Sequence, residues 1–184
     1  PLFETESAME HGGRFLEALL REPAYRDYAR ERGRVAIQTG FSDAGRFVGQ
    51  IPAALAIERL HGRLAGAMQA NGLSDVAALI FNTHGESMGR GAHPVSMADR
   101  LTYPMSLWAR ARFASAGITL EPEVSFQGGD GFLPFRNSAL ATATLTRIAE
   151  VESQPVAVVD DPFYDRTDLS LDFYRGIRRM QRDF

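Results

Sequence analysis

The stretch "VAALIFNTHGESMGRGAHP" (Val76–Pro94) runs from a continuous apolar segment straight into a glycine-rich polar one. Val76–Phe81 reads as a buried strand, because nothing in it faces water by preference. Between Ile80 and Pro94, three glycines accompany two histidines, one glutamate and one arginine. Glycine at that density ends regular structure and lets backbone N–H groups approach an anion that the neighbouring side chains can bind. A strand, a polar glycine loop and then a helix is the repeating unit of parallel α/β sheets. Their chemistry sits in the loops after the strands' C-terminal ends.

The unit recurs on both sides of this stretch. Upstream, "PLFET" (Pro1–Thr5) precedes a helical segment around Phe15–Leu20, and Pro23 breaks that helix and opens another running to about Arg32. "RVAIQTGF" (Arg34–Phe41) reads as a second buried strand. "SDAGRFVGQIP" then turns into one long helix, with Ile57, Leu60, Leu64, Ala67 and Met68 at helical spacing and Gly72 at its end. Downstream come a helix through Trp108 to Ser115, a short strand at Ile118–Leu120, and a strand "EVSF" leading into "QGGDG" (Gln127–Gly131). Helices at Ala139–Glu152 and Asp168–Asp183 complete the pattern. Buried strands with helical crossovers imply a parallel sheet, barrel-like or doubly wound, and the fold class is α/β. The candidate loops are "ETES", "GFSDAGR", "NTHGESMGRG" and "QGGDG".

Composition narrows the chemistry. With 184 residues, 45% of them hydrophobic, the chain has material for one sizeable core. It begins with Pro rather than Met, which reads as a segment of a longer polypeptide. No apolar run is long enough to span a bilayer, so a membrane is not expected as partner. Zero cysteines exclude disulfides, thiolate metal sites and a thiol nucleophile, and fit a reducing cytoplasm. A net charge of −3 argues against nucleic acid. All 20 basic residues are arginine, so neither a Schiff-base lysine nor a P-loop lysine is available. Every cation is instead a planar fork matched to carboxylate or phosphate.

Three groups of residues carry candidate chemistry. Glu4 and Asp43 both sit at strand ends, where two carboxylates could share a hard divalent cation that also meets a phosphate. On spacing alone, helix N-capping is the plainer reading of both. Gly89, Arg90 and Gly91, with Gly85 before them, form an anion nest around an arginine, or a tight loop whose glycines only supply positive φ. His84, Glu86 and His93 could ligate zinc, but the H-x-E pattern lacks the cysteines a zinc deaminase needs. Loop histidines more often serve as hydrogen-bonding groups.

Taken in order, "PLFET", "GFSDAGRFVG" (Gly40–Gly49), "FNTHGESMGRGAHP" (Phe81–Pro94) and "SLDFYRGIRRMQRDF" (Ser170–Phe184) resemble successive motifs in the C-terminal half of the phosphoenolpyruvate carboxylases. "EVSFQGGDG" (Glu123–Gly131) is similar to a further family segment. The resemblance implies part of a TIM-like β-barrel with many surrounding helices, in an enzyme that is usually a tetramer. It implies phosphoenolpyruvate and bicarbonate as substrates, oxaloacetate and phosphate as products, and Mg²⁺ or Mn²⁺ as cofactor. By position, Glu4 and Asp43 match the family's metal carboxylates. Arg90 matches an arginine that holds the reacting anions, Gly89 and Gly91 its flanking glycines, and Gln127 a conserved-motif glutamine. Three positions depart from the pattern: Arg46 stands for a lysine, His84 for an arginine and Asn82 for a histidine. A protonated His84 could replace the missing fixed cation, with His93 beside it. The departures leave open a non-catalytic metal- and anion-binding sensor or assembly module, or another metal-dependent lyase acting on a phosphorylated or keto-acid substrate.

Overall fold

The computed structural model describes residues 1–83, 100, 104–124, 133–153, 166, 172–173, 175–177 and 179–180. Four strands, β1 (Leu2–Phe3), β2 (Arg34–Gly40), β3 (Ala77–Thr83) and β4 (Leu120–Val124), form one sheet in chain order. All three pairings are parallel, with Phe3 beside Thr39, Thr39 beside Asn82 and Asn82 beside Val124. The helices are α1 (Glu6–Arg21), α2 (Pro23–Arg32), α3 (Phe41–Val48), α4 (Gln50–Ala70), α5 (Leu107–Ser115) and α6 (Ser138–Glu152), with a 3₁₀ turn at Leu133–Phe135. The described residues are mostly helical, around a small parallel sheet.

One face of the sheet is covered. Phe3, Val35, Ile37, Thr39, Ala78, Ile80 and Asn82 alternate onto it and are all buried. The helical layer above presents Met9, Leu16 and Leu20 from α1, and Ile57, Leu60, Leu64 and Met68 from α4. Among the described residues the opposite face is less covered: Leu2 is 54% exposed, Ala36, Glu121 and Glu123 are exposed, and Leu79 and Phe81 are half-buried.

Local chemistry sets the boundaries. Thr5 caps α1 by accepting from the Ala8 N–H at 3.2 Å. Pro23 opens α2 as expected, since its missing N–H costs nothing in a first turn. The single long helix expected after β2 is two helices. Gly49 adopts φ 88°, ψ 157°, a conformation essentially reserved for glycine, and divides α3 from α4. "GFSDAGR", expected as a loop, is the strand end and first turns of α3, anchored by the buried Phe41.

The two strands expected at Ile118–Leu120 and "EVSF" reduce to β4 alone among the described residues. Ile118 instead closes the end of α5, donating its N–H to the Phe113 oxygen at 3.0 Å while Gly117 bonds Ala114 at 3.0 Å. Pro122 sits in the middle of β4, the outer strand of the described sheet, where a missing donor is tolerated. Of the helix expected at Asp168–Asp183, residues 172–173, 175–177 and 179–180 are helical.

Helix packing depends on two close contacts. A Cβ at Gly12 of α1 would lie 2.8 Å from Leu60 Cδ1 and 2.9 Å from the Phe3 ring. A Cβ at Gly62 of α4 would lie 2.5 Å from Trp108 Cη2. Ser106 joins α4 to α5: its hydroxyl accepts from the Ala109 N–H at 3.2 Å and donates to Glu58 Oε1 at 2.5 Å. Burial raises the Glu58 pKa, and the Ser106 hydrogen bond offsets part of that rise. His61 is fully buried on α4 with no hydrogen-bond partner for either ring nitrogen among the described residues, and desolvation lowers its pKa to about 3.

These contacts fix the sign of two helix substitutions. Gly62→Ala should destabilise by about 1 kcal/mol or more, because overpacking at about 1–3 kcal/mol exceeds the gain in helix propensity. Gly66→Ala, one turn along, meets nothing within 4 Å and should stabilise by about 0.5–1 kcal/mol in urea unfolding.

His61 should make stability pH-dependent. Its folded pKa lies below the unfolded value of about 6.5, so its contribution is complete above that pH. It is lost as pH falls toward about 3. Urea midpoints across that window should fall less steeply for His61→Leu than for the unsubstituted chain; parallel profiles would remove the imidazole from the account.

Candidate functional site

The C-terminal ends of β1, β2 and β3 lie side by side, because the parallel register aligns Phe3, Thr39 and Asn82 across the sheet. Side chains alternate along a strand, so burying Phe3 in the helical layer turns the next residue, Glu4, toward the other side. Glu4 packs directly on the end of β2. A Cβ at Gly40 would stand 2.2 Å from Glu4 Cγ and 2.9 Å from both Cδ and Oε1. Only a residue without a side chain fits there. Gly40 has φ −106°, so the requirement is for space and not for an unusual backbone.

Asp43 lies in the first turn of α3, where its negative charge complements the unpaired N–H groups of the helix start. Arg46, one turn on, is 3.7 Å from Asp43 Oδ1. The side chains are 44% and 66% exposed, so the pair is solvated and labile. Neither carboxylate caps a helix: Thr5 caps α1, and Gly40 occupies the α3 cap position without a side-chain bond. The capping alternative for Glu4 and Asp43 is thereby removed.

Behind this edge, on the covered face, Thr39 Oγ1 donates to Asn82 Oδ1 at 2.5 Å, and both residues are fully buried. Thr83 Oγ1 donates to the Thr39 main-chain oxygen at 3.3 Å. Asn82 Nδ2 is buried without a partner among the described residues. The two bonds tie the ends of β2 and β3 together and hold the edge in register.

The structure thus places Glu4 against Gly40 at neighbouring strand ends, with Asp43 and Arg46 paired on α3, the helix that follows Gly40. His84, Glu86, Gly89, Arg90, Gly91, His93 and Gln127 lie outside the described residues. Sequence reasoning passed over Gly40, whose signal was a glycine placed directly between an apolar strand and a helix. It also treated Asn82 only as a departure from a motif, whereas its side chain bonds β2.

Among the described residues no group of three or more His, Asp or Glu could hold a metal ion. Two carboxylates nevertheless suit Mg²⁺ or Mn²⁺, ions that commonly keep several waters and take further oxygens from a phosphorylated substrate. The Glu4 carboxyl seated against a bare Cα is the structural observation that fits this donor set.

A four-stranded parallel sheet in a mostly helical chain is an α/β arrangement, with Glu4 after β1 and the Asp43–Arg46 pair on the helix that follows β2. Residues 1–120 match the phosphoenolpyruvate carboxylase family, and the chain belongs to it. A phosphoenolpyruvate carboxylase of Thermus sp. (strain 71) is 32% identical over 120 residues, which are 65% of this chain and 14% of that protein. Those of Chromohalobacter salexigens and Tolumonas auensis align with all of this chain at 29% and 27% identity, each over 20% of its length. The chain therefore spans at most about a fifth of these relatives.

The solvated Asp43–Arg46 pair should contribute little to folding. Arg46→Gln is expected to shift unfolding free energy by less than about 0.5 kcal/mol in urea titrations, so any larger change in ligand binding reports on the site itself.

Proposed function

We propose that this chain provides the metal-holding and anion-binding edge of a phosphoenolpyruvate carboxylase-like carboxy-lyase. The reaction joins phosphoenolpyruvate and bicarbonate into oxaloacetate and phosphate. The observation that carries the reading is the Glu4 carboxyl packed on Gly40 at the aligned strand ends, in a chain of this family.

In this reading Glu4 and Asp43 hold a divalent cation, Mg²⁺ or Mn²⁺. Bound there, the ion supplies Lewis-acid stabilisation for negative charge developing on phosphoryl and enolate oxygens. A bicarbonate oxygen attacks phosphorus, the enol oxygen leaves, and carboxyphosphate and the enolate of pyruvate result. Carboxyphosphate yields carbon dioxide and phosphate, and the enolate carbon attacks the carbon dioxide. Arg46 and Arg90 hold the anions as fixed cations, and Gly89 and Gly91 let the backbone approach them. His84 adds charge when protonated, and Gln127 supplies a neutral amide. The open sheet face supports closure of these strands into a TIM-like barrel, since parallel strands are ordinarily covered on both sides. A homo-oligomer, a tetramer by family pattern, is the assembly this reading carries. No described helix is long and apolar enough to cross a membrane.

Mn²⁺ binding to the 184-residue chain, followed by the loss of the free-ion electron paramagnetic resonance signal, tests the site without requiring turnover. Glu4→Gln and Asp43→Asn should each weaken binding about tenfold or more, and Gly40→Ala should weaken it by displacing Glu4. Unchanged binding in both carboxylate variants would refute the metal assignment. In a coupled oxaloacetate assay this chain alone should show no signal above its Asp43→Asn variant, since the family's further anion-holding groups lie outside its motifs.

A further inference from the structure

α3 carries Asp43 in its first turn and Arg46 in its last, three residues apart and on one face. The helix favours each charge where it stands, acid at the start and base at the end, without any contact between them. Their closest approach, Arg46 Nη2 to Asp43 Oδ1, is 3.7 Å, longer than a hydrogen bond and on two solvated side chains. Arg63, by comparison, donates to Glu17 Oε1 at 3.1 Å. The Asp43–Arg46 contact is therefore Coulombic, with no hydrogen bond to break, and a pair of this kind biases its partners by about fivefold at most. A guanidinium keeps its charge throughout the range in which proteins fold, so Arg46 is a permanent cation that takes whichever anion or water lies within reach.

A divalent cation at Asp43 changes which anion that is. The cation claims the negative charge of the carboxylate and repels the neighbouring guanidinium, and Arg46 has solvent into which to swing. Its planar fork can then offer two parallel N–H donors, the geometry that a phosphate group matches. We propose that Arg46 exchanges partners: it neutralises Asp43 until a divalent cation takes that carboxylate, and it then binds the phosphate group of the ligand that meets the cation. This exchange rests on the strand-end cation site proposed above and adds what regulates it. Its consequence is a reversal of sign. Without a bound anion Arg46 opposes the cation, as competitor and as like charge. With one it favours the cation, because the anion draws the guanidinium away from Asp43. By linkage the cation and the anion strengthen each other's binding by the same factor, and that factor depends on the side chain at position 46.

The test is Mn²⁺ binding to the 184-residue chain, read from the free-ion electron paramagnetic resonance signal, with and without sulfate at a constant ionic strength of about 0.1 M. Sulfate is the probe because it has the shape and charge of a phosphate dianion and does not titrate near neutral pH. Without sulfate, Arg46→Gln should bind Mn²⁺ about two- to fivefold tighter than the unsubstituted chain. Sulfate should tighten Mn²⁺ binding to the unsubstituted chain by about twofold or more and leave Arg46→Gln unchanged. Arg46→Lys, which keeps the charge, should keep a sulfate response. Equal Mn²⁺ affinities of the unsubstituted chain and Arg46→Gln without sulfate overturn the exchange. So does a sulfate response of equal size in both, which would mean that the anion meets the cation without Arg46. In either case the cation site itself stands if Asp43→Asn still weakens Mn²⁺ binding. Mn²⁺ affinity unchanged in both Glu4→Gln and Asp43→Asn overturns the strand-end reading and the exchange together.

Discussion

The structure turns on how one aromatic ring holds a two-residue strand. β1 pairs with β2 through Leu2 and Phe3, and the buried Phe3 ring secures it to the helical layer. The ring lies under Gly12 and Leu60, and meets Phe15 edge-on at 6.1 Å between centroids. It therefore meets α1 at Gly12 and Phe15, where Leu60 of α4 converges on the same bare Cα, and it sits beside Thr39 near the end of β2. Alternation then turns Glu4 away from the core, onto the bare Cα of Gly40. A side chain at position 12 would push on Phe3, and through it on the carboxylate one residue further along. Fold stability and the placement of the candidate ligand share that contact.

Much of this architecture was legible in residues. Val76–Phe81 and Arg34–Phe41 are apolar runs bounded by turn chemistry, and both became central strands within two residues of the expected limits. Pro23 and Gly72 marked helix boundaries because their backbone preferences act locally. The single-helix reading of Ser42 to Ala70 failed at Gly49, since a glycine inside an apolar helical pattern does not announce which region of φ/ψ it occupies. Ile118 looked like strand because it is β-branched, but tertiary packing used it to seal α5. Glu4 was legible as the residue that follows β1, whereas Asp43, read as a strand-end residue, lies in the first turn of α3. That neither caps a helix required coordinates, because capping depends on which neighbouring oxygen reaches the N–H groups first.

Arginine as the sole cation links the two charged regions of the molecule. At the strand ends Arg46 is solvated and paired with a carboxylate that the proposed metal would claim, so it is available to a ligand. On the helical layer Arg63 and Arg175 each meet a carboxylate. The guanidinium suits both settings because it stays charged on burial, whereas a lysine in the half-buried surroundings of Arg59 or Arg63 would be open to losing its proton.

Pro122 bears on how the sheet meets neighbours. The Ala78 N–H bonds to the Thr119 oxygen, so alternation along β4 directs the backbone of Glu121 and Glu123 toward β3 and that of Leu120, Pro122 and Val124 outward. The open edge of β4 therefore lacks a donor at its centre. A strand added there must forgo one ladder bond, which penalises indiscriminate pairing with any extended peptide. Among the described residues this margin is guarded against indiscriminate addition, and an incoming strand must bring side-chain complementarity to be accepted.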